Sequence, residues 1–334
     1  MAATDAPATL AELATDFLEG MKDVTTSSTI TNLVYRYLNK ANHDIHQERW
    51  WWAERRAVIV TKVPYTTGTV AVTKGGTTVT GTSTAWTTTD SFGRANAAIG
   101  DKITIGSSPD TYVVATVPGA GSLTLATRYT GETVTEAAHA VFQDEYALET
   151  DFDDVIDART FSEDLGVALI GAQEFNRRFT RNSVRGVVEV ATLIELGPSG
   201  SVALRRRVVF GKAPDRAYTI PYRYYTTYLA VSSAGAGQVN LSATTDQPII
   251  PIRWRQALVY RAQAEWFQKR TKDPEAAAQA MADYTALILR ARAAKGPTED
   301  GVRLVPRVQR TDTPYRHGSS RRLTTGTAWD QMRA

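Results

Sequence analysis

The sequence predicts an α+β protein in which N- and C-terminal helices form a bundle next to a β-hairpin and sheet region. Residues 28–54 and 254–295 repeat apolar side chains every three or four positions, as amphipathic helices do. Residues 65–143 change to short segments rich in threonine and valine, separated by glycine turns, which is typical of strands. We therefore expect a small all-β barrel or sandwich inserted into the scaffold, and an extended C-terminal tail.

The length of the chain, 334 residues, suits two domains or one domain that carries an insertion. A hydrophobic content of 43% and a charged content of 22% are typical of a globular protein. We expect four segments. They are the N-terminal helices and first hairpin strand (1–64), the inserted β-barrel domain (65–143), the rest of the core (144–295) and the tail (296–334).

Composition excludes several classes of function. The sequence has no cysteine, which excludes disulfides, thiolate catalysis and cysteine-ligated zinc. A net charge of +3 is small for a dedicated nucleic-acid-binding protein of this size. No apolar run approaches the ~20 residues of a membrane-spanning helix, and the acidic start does not resemble a secretory signal. We expect a protein that is assembled in the cytoplasm and does not contact a membrane.

The N-terminal part is predicted to form two helices. Thr9 can cap a short helix that ends near Gly20. A longer helix begins after Ser27 or Ser28 and continues to about Glu54. The apolar positions of the longer helix form one stripe, which other helices must cover: Ile30, Leu33, Val34, Tyr37, Leu38, Ala41 and Ile45.

Three consecutive tryptophans, Trp50, Trp51 and Trp52, would close this helix. At about 100° per residue, three adjacent rings span about 200° and cannot all enter one core stripe. At least one ring is then available to a neighbouring module or subunit, because large rings are enriched at interfaces. The alternative is that the rings pack against the strands of the same chain.

Strand patterns fill the middle of the chain. Residues 57–65 and 146–148 are predicted strands that flank the all-β segment, which would enter at a hairpin tip where insertions are tolerated. Within the segment the predicted strands are TVAVT, TTVTGT, DKITIG, TYVVATV and SLTLATRY. A short helix, GAQEFNRRF, and three longer strands follow, in VRGVVEVATLIEL, SVALRRRVVFG and AYTIPYRYYTTYLAV.

The C-terminal part is predicted to hold two further helices. The first has Trp254, Leu258, Ala262 and Trp266 on one side and ends near Lys272. Asp273 caps the second helix, and Pro274 takes its first position. The tail after residue 295 has too little apolar content to bury itself, so we expect it to stay extended until a partner supplies contacts.

Motifs of catalysis and cofactor binding are missing from the sequence. It has no phosphate-binding loop, no G-x-S-x-G and no H-E-x-x-H, so we predict no enzyme, no cofactor and no metal site. Two weaker possibilities stay open. His43 and His46 could share a metal, and two carboxylates such as Glu145 and Asp153 could serve a wall-degrading hydrolase. The acidic run 145–158 lacks the alternating ligands of a calcium loop.

Three stretches resemble a known family. RAVIVTKVPYTTG and DEYALETDFDDVIDA resemble a hairpin whose second strand usually reads Tyr-x-Leu-Pro-x-Asp-Phe, with Glu149 in place of the proline. VVFGKAPDRAYTIPYRYYTTYLAV resembles a proline-containing strand pair that ends in Tyr-Tyr, and QPIIPIRWRQALVYRAQAEWF a proline-bounded entry into a helix. Together they are similar to the adaptor proteins of tailed bacteriophages, also called head-completion proteins or head-to-tail connectors.

The resemblance implies a structural role in the virion. Such adaptors form a ring, generally of twelve subunits, that joins the portal protein to the next tail or tail-tube component. Genomic DNA passes through the ring without sequence-specific binding, and no cofactor is involved. The alternative function is a tail-tip or baseplate protein that binds host glycans, suggested by the threonine-rich segment with Trp86 and Tyr112.

A ring closes by heterologous contacts only if each subunit has two unlike faces that fit each other. Two regions of opposite charge could form these faces: the acidic region 144–164, and the arginines of 177–185 and 205–207. The tail could add a strand to portal sheets. Arg205 and Arg207 would share one strand face, where nucleic-acid phosphate or solvent are alternatives to an acidic neighbour. The candidate subunit or portal interface residues are Trp50, Trp51, Trp52, Asp151, Asp153, Asp154, Arg177, Arg178, Arg181, Arg205, Arg207, Tyr315, Arg316, Arg321, Arg322 and Trp329.

Overall fold

A computed structural model describes residues 7–21, 27–108, 110–160, 165–179, 184–196 and 205–294. These residues form five α-helices and twenty strands, so the predicted α+β class is confirmed. The predicted tail, with Tyr315, Arg316, Arg321, Arg322 and Trp329, lies outside the described residues, as does Arg181.

The helices lie mainly at the two ends of the chain. They are α1 (Leu10–Glu19), α2 (Ser28–His46), α3 (Ala172–Arg178), α4 (Gln256–Trp266) and α5 (Pro274–Ala294). Short 3₁₀ turns cover Trp51–Ala53 and Ile252–Trp254, and a π turn covers Phe267–Thr271. Helix α4 contacts α1, α2 and α5, and all four helices contribute to one apolar core.

Local capping explains where the helices begin. The Thr9 hydroxyl accepts a hydrogen bond from the Glu12 N–H, and the Glu12 carboxylate accepts one from the Thr9 N–H, which forms a capping box. Ser27 caps α2 through the Ile30 N–H, and Asp273 caps α5 through the Ala276 N–H. All three predicted starts are confirmed.

The predicted end of the long helix was wrong. Helix α2 stops at His46, well before Glu54. The indole N–H of Trp50 donates to the carbonyl of Ile45 at 2.7 Å, which satisfies one of the carbonyls that the helix end leaves open. The chain then turns, and Trp50 and Trp52 enter the helical core from this turn.

Strand β1 (Glu54–Val60) leads into a seven-stranded, antiparallel sheet. Its strands are β2 (Thr69–Val72), β3 (Thr78–Thr82), β4 (Lys102–Ile105), β5 (Thr111–Gly119), β6 (Ser122–Leu125), β7 (Val134–Ala137) and β8 (His139–Phe142). The order is β7-β2-β3-β6-β5-β4-β8. Only Ala138 separates the edge strands β7 and β8, so the sheet curls until its two edges come close.

The curled sheet encloses an apolar interior. Val79, Trp86 and Leu123 are completely buried, while Thr78 and Thr80 point outward on either side of Val79. This alternation agrees with the prediction that threonines keep one face of the sheet in water. The sequence pattern did not reveal β7 and β8. All four residues of β8 are buried, so it lacks the alternation that marks a half-exposed strand.

The remaining strands form four further sheets. They are β9 (Glu145–Ala147), β10 (Phe152–Thr160), β11 (Leu165–Gly166), β12 (Ala168–Leu169), β13 (Arg185–Gly186), β14 (Val190–Leu196), β15 (Arg205–Phe210), β16 (Ala213–Pro214), β17 (Thr219–Thr226), β18 (Ala230–Val231), β19 (Gly237–Gln238) and β20 (Gln247–Pro248). Two four-stranded sheets, β1-β17-β10-β11 and β12-β14-β15-β9, share a second apolar core. The small sheets are β13-β16 and β19-β18-β20.

The predicted hairpin between β1 and the strand after the curled sheet does not form. Strand β17 lies between β1 and β10, and β9 pairs with β15 in the other sheet. Strand β17 buries Ile220, Tyr222 and Tyr224 on one face, which makes it the natural centre of a sheet. A central strand accepts partners on both edges, so β1 and β10 each pair with β17 instead of with each other.

The chain enters and leaves the curled sheet at one point. The Tyr65 N–H donates to the Val141 carbonyl at 2.8 Å, and the Val141 N–H donates to the Tyr65 carbonyl at 2.9 Å. Such a mutual pair places the two Cα atoms about 5.5 Å apart. The seventy-odd residues between them therefore begin and end side by side.

Candidate interaction surfaces

A buried ion pair lies where β1 meets the curled sheet. Lys62 Nζ and Asp101 Oδ2 are 2.7 Å apart, and each side chain is 5% exposed. The Ala98 N–H donates to the same carboxylate oxygen at 2.9 Å. Burial raises the pKa of the Asp101 carboxyl, and the opposing effects of the Lys62 ammonium and this hydrogen bond do not cancel that rise.

Further polar contacts surround this pair. Arg94, from a loop of the curled sheet, donates to the Val60 carbonyl at 2.7 Å. Lys102 Nζ lies 2.6 Å from the carboxylate of Asp144, which is also buried. The junction is therefore held by charge-assisted hydrogen bonds, whose directionality fixes how the curled sheet sits on β1.

The three tryptophans are mostly internal. Trp50 and Trp52 are 2% and 7% exposed, and their rings stack with centroids 4.4 Å apart. Trp51 is half-buried, with its ring edge-on to Trp52. Trp50 and Trp52 were predicted to lie at an interface, but they are core residues, because the chain leaves α2 early enough to turn their rings inward. Only Trp51 keeps surface for a neighbour.

His46 has a structural role. Its Nδ1 lies 2.8 Å from the Asn42 carbonyl, and its Nε2 accepts a hydrogen bond from the Trp52 indole N–H at 3.0 Å. Because both ring nitrogens are used, His46 cannot bind the metal that its spacing from His43 suggested. The structure has no group of three or more potential metal ligands within the ranges it describes.

The burial of His46 predicts a pH dependence of stability. Desolvation lowers its pKa from 6.5 to about 4, so the unfolded chain binds a proton below pH 6.5 that the folded chain does not. Stability is therefore lost as the pH falls from 6.5 toward 4, and the loss at pH 5 is about 2 kcal/mol. We expect urea unfolding at pH 7.5 and pH 5 to show this loss for the wild type. His46→Gln should show a drop that is smaller by about this amount, and an equal drop in both proteins would contradict the assignment.

A cleft of about 350 Å³ opens between the end of α2 and the end of β17, and two of its charged groups, Glu48 and Arg49, form ion pairs within the chain. Arg49 pairs with Asp154 and lies over the Tyr225 ring at 5.5 Å. Glu48, on the same wall, pairs with Arg292 of α5. The first pair joins the segment after α2 to strand β10, and the second joins the same segment to helix α5.

Other predicted interface residues also have partners within the chain. The Asp151 carboxylate accepts hydrogen bonds from the hydroxyls of Tyr224, at 3.0 Å, and Thr226, at 2.6 Å. Arg178 pairs with Glu174 at 2.5 Å, and Arg207 with Glu145 at 3.9 Å. By contrast, Arg177 and Asp153 are exposed, and Asp153 has no ion pair within the described residues. Arg205 lies on β15, next to Arg206, which donates to the Asp153 carbonyl.

The aromatic residues that suggested glycan binding are not on the surface. Trp86 is 0% exposed and Tyr112 is 4% exposed, because both rings fill the interior of the curled sheet. Phe92 is the exposed ring of this region, at 61%, and it is partly covered by the Arg94 guanidinium at 4.9 Å. The glycan-binding alternative thus loses the two residues on which it was based.

Comparisons with known proteins give no family for this chain. Neither a scan against protein-family models nor a search of curated proteins finds a match. In the part of the chain that the structure describes, no helix is both long enough and apolar enough to cross a membrane.

Helix α5 carries an apolar face that the sequence analysis missed. Of its twenty-one residues, those that are buried are Ala280, Ile288 and Ala291. On the opposite side Leu289 is 54% exposed, and the exposed residues Ala278, Ala282, Ala286 and Ala293 lie on the same face. Met281, which is 42% exposed, flanks the buried side instead. The signal in the sequence is that PEAAAQAMADYTALILRARAA has apolar residues all around the helix, which a helix with one buried face does not need.

Proposed function

We propose that this chain is an adaptor of a tailed-bacteriophage virion. Twelve copies would form a ring at the head-to-tail interface, between the portal protein and the downstream tail protein, with genomic DNA passing through its channel. The observation that carries the proposal is the apolar outer face of α5, formed by Leu289 and the exposed alanines around it. Exposed apolar faces on helices favour a role in binding other protein surfaces, because a lone protomer gains nothing by leaving them in water.

Two further features support this function. The sequence resembles phage adaptors in stretches that form β1, β10, β15, β17 and α4. The proposal includes a bundle of the N- and C-terminal helices and an extended tail that orders on the portal. The modest net charge of +3 suits a channel that DNA must pass through without being held.

The experiment is assembly of the purified full-length chain. Native mass spectrometry and negative-stain images should show rings, and the rings should co-sediment with the portal protein encoded by the same genome. We expect Leu289→Glu to reduce ring formation or portal binding by at least about tenfold, since a buried charge at an interface costs more than 1.4 kcal/mol. Gln279→Glu, which places the same charge on the polar flank of α5, should assemble normally.

The proposal fails if the wild-type chain forms no ring and does not co-sediment with the portal protein. If rings form and bind portal but Leu289→Glu has no effect, the adaptor function stands and α5 is not a contact surface. Circular dichroism should give the same helical content for both variants. The experiment then compares assembly and not folding.

A further inference from the structure

Strand β1 has an outer edge to which no described strand is paired. It is the first strand in the order β1-β17-β10-β11. Just beyond its end, the Thr61 N–H donates to the Tyr218 carbonyl of the β17 side at 2.9 Å. Because backbone groups alternate between the two sides of a strand, those of Ala57 and Ile59 also face β17, and those of Arg56 and Val58 face outward.

The outward edge is open to solvent at its centre. Val58 is 54% exposed, and Arg56 is also exposed. Toward the end of β1, the Val60 carbonyl is occupied by Arg94. The open stretch is therefore residues 56–58, and an exposed, unpaired edge of this kind is a template for another extended segment.

Two arginines against one carboxylate, Glu54, give this edge a net positive charge. The Arg55 guanidinium donates to the carbonyls of Trp52 and Glu54. Among the described residues, no carboxylate forms an ion pair with Arg55 or Arg56. A segment that binds here is therefore expected to carry negative charge.

The same sheet carries such a segment on the far side of β17. The turn of residues 149–153, which leads into β10, holds Glu149, Asp151 and Asp153. None of these three carboxylates has a cationic partner among the residues that the structure describes. Three residues of this turn are exposed: Glu149, Thr150 and Asp153. Their side chains, and the backbone of Thr150, can therefore contact a neighbouring subunit.

We propose that the open edge of β1 binds the acidic turn 149–153 of a second copy of this chain. This inference rests on the proposed ring and names the contact that closes it. Each copy has one basic edge and one acidic turn on opposite sides of one sheet, so the contact repeats head to tail, as a heterologous ring requires. Arg56 faces the Asp153 and Glu149 carboxylates of the neighbour, and the Val58 N–H donates to its backbone.

Charge reversal tests this contact. In native mass spectrometry, Arg56→Glu and Asp153→Arg should each reduce the ring fraction by at least about tenfold. An equimolar mixture of the two variants should form rings again, because every contact between unlike copies then pairs opposite charges. The matched control is Arg128→Glu, which replaces an exposed arginine after β6 of the curled sheet and should assemble like the wild type.

A backbone variant tests the strand edge itself. Val58→Pro removes one outward N–H and leaves the hydrogen bonds to β17, so it should weaken assembly while circular dichroism stays unchanged. If the wild type forms rings and the charge-reversed variants also do, the inference is overturned and the proposed function stands. Failure of the mixture to restore rings would overturn the pairing of these two surfaces. A wild type that binds the portal protein without forming a ring also overturns this inference, whereas one that does neither contradicts the proposed function itself.

Discussion

Replacing Lys62 with methionine should lower the free energy of unfolding by about 3–5 kcal/mol, because the Asp101 carboxylate would stay buried without its counter-ion. The Ala98 N–H is the one other group that donates to this carboxylate within the described residues. One hydrogen bond does not compensate an ionised carboxylate for the water it has lost. Urea unfolding followed by circular dichroism measures this loss.

A double variant separates the net contribution of the ion pair to stability from the destabilisation caused by leaving one charge unpaired. Asp101→Asn removes the charge but keeps an oxygen that accepts the Ala98 N–H. We expect Lys62→Met/Asp101→Asn to lie within about 1–2 kcal/mol of the wild type, since neutral replacements of buried pairs are often tolerated. The result that would contradict this explanation is a double variant whose loss equals the sum of the two single losses.

Trp86→Ala should destabilise the curled sheet by about 3–5 kcal/mol, the usual range for removing a large buried ring. The ring is 0% exposed and packs edge-on to His139, with centroids 5.9 Å apart. It also fits closely against Gly81, where an added methyl group would lie 2.8 Å from the ring. No smaller side chain fills this space.

Hydrogen exchange by residue shows where the destabilisation acts. Amides of β2–β8 should exchange about a hundredfold faster or more in Trp86→Ala, while those of α2 and α4 keep their protection. Trp86→Phe retains a ring and should lose less than half as much protection free energy. Equal losses in the helices would mean that residues 65–143 do not unfold as a separate unit.

Local features of the sequence predicted the helices well. Thr9, Ser27 and Asp273 cap helices because their side chains reach N–H groups two or three residues away, so a short window contains the whole interaction. The strands of residues 65–143 were predicted from equally short windows, since β-branched residues and glycine turns affect the backbone only of nearby residues.

Pairing between distant segments could not be predicted in the same way. Strand β1 pairs with β17 across more than 150 residues, and periodicity contains no information about which strand will be the neighbour. The position of Trp50 depended on a helix end that tertiary packing moved to His46. The partnership of Lys62 with Asp101 depends on the same long-range geometry, and a lysine between Thr61 and Val63 gives no sign of burial.

The mutual hydrogen bonds between Tyr65 and Val141 have a consequence for how such a protein can evolve by insertion and deletion. Two ends that lie side by side can be rejoined by a turn of two or three residues once everything between them is cut out. A single recombination event could therefore remove this segment, or exchange it for another of different length, provided that the new junction also satisfies Lys62 and Asp144, whose partners Asp101 and Lys102 belong to the segment. Designers could use the same position to graft a chosen cargo onto each copy of the protein.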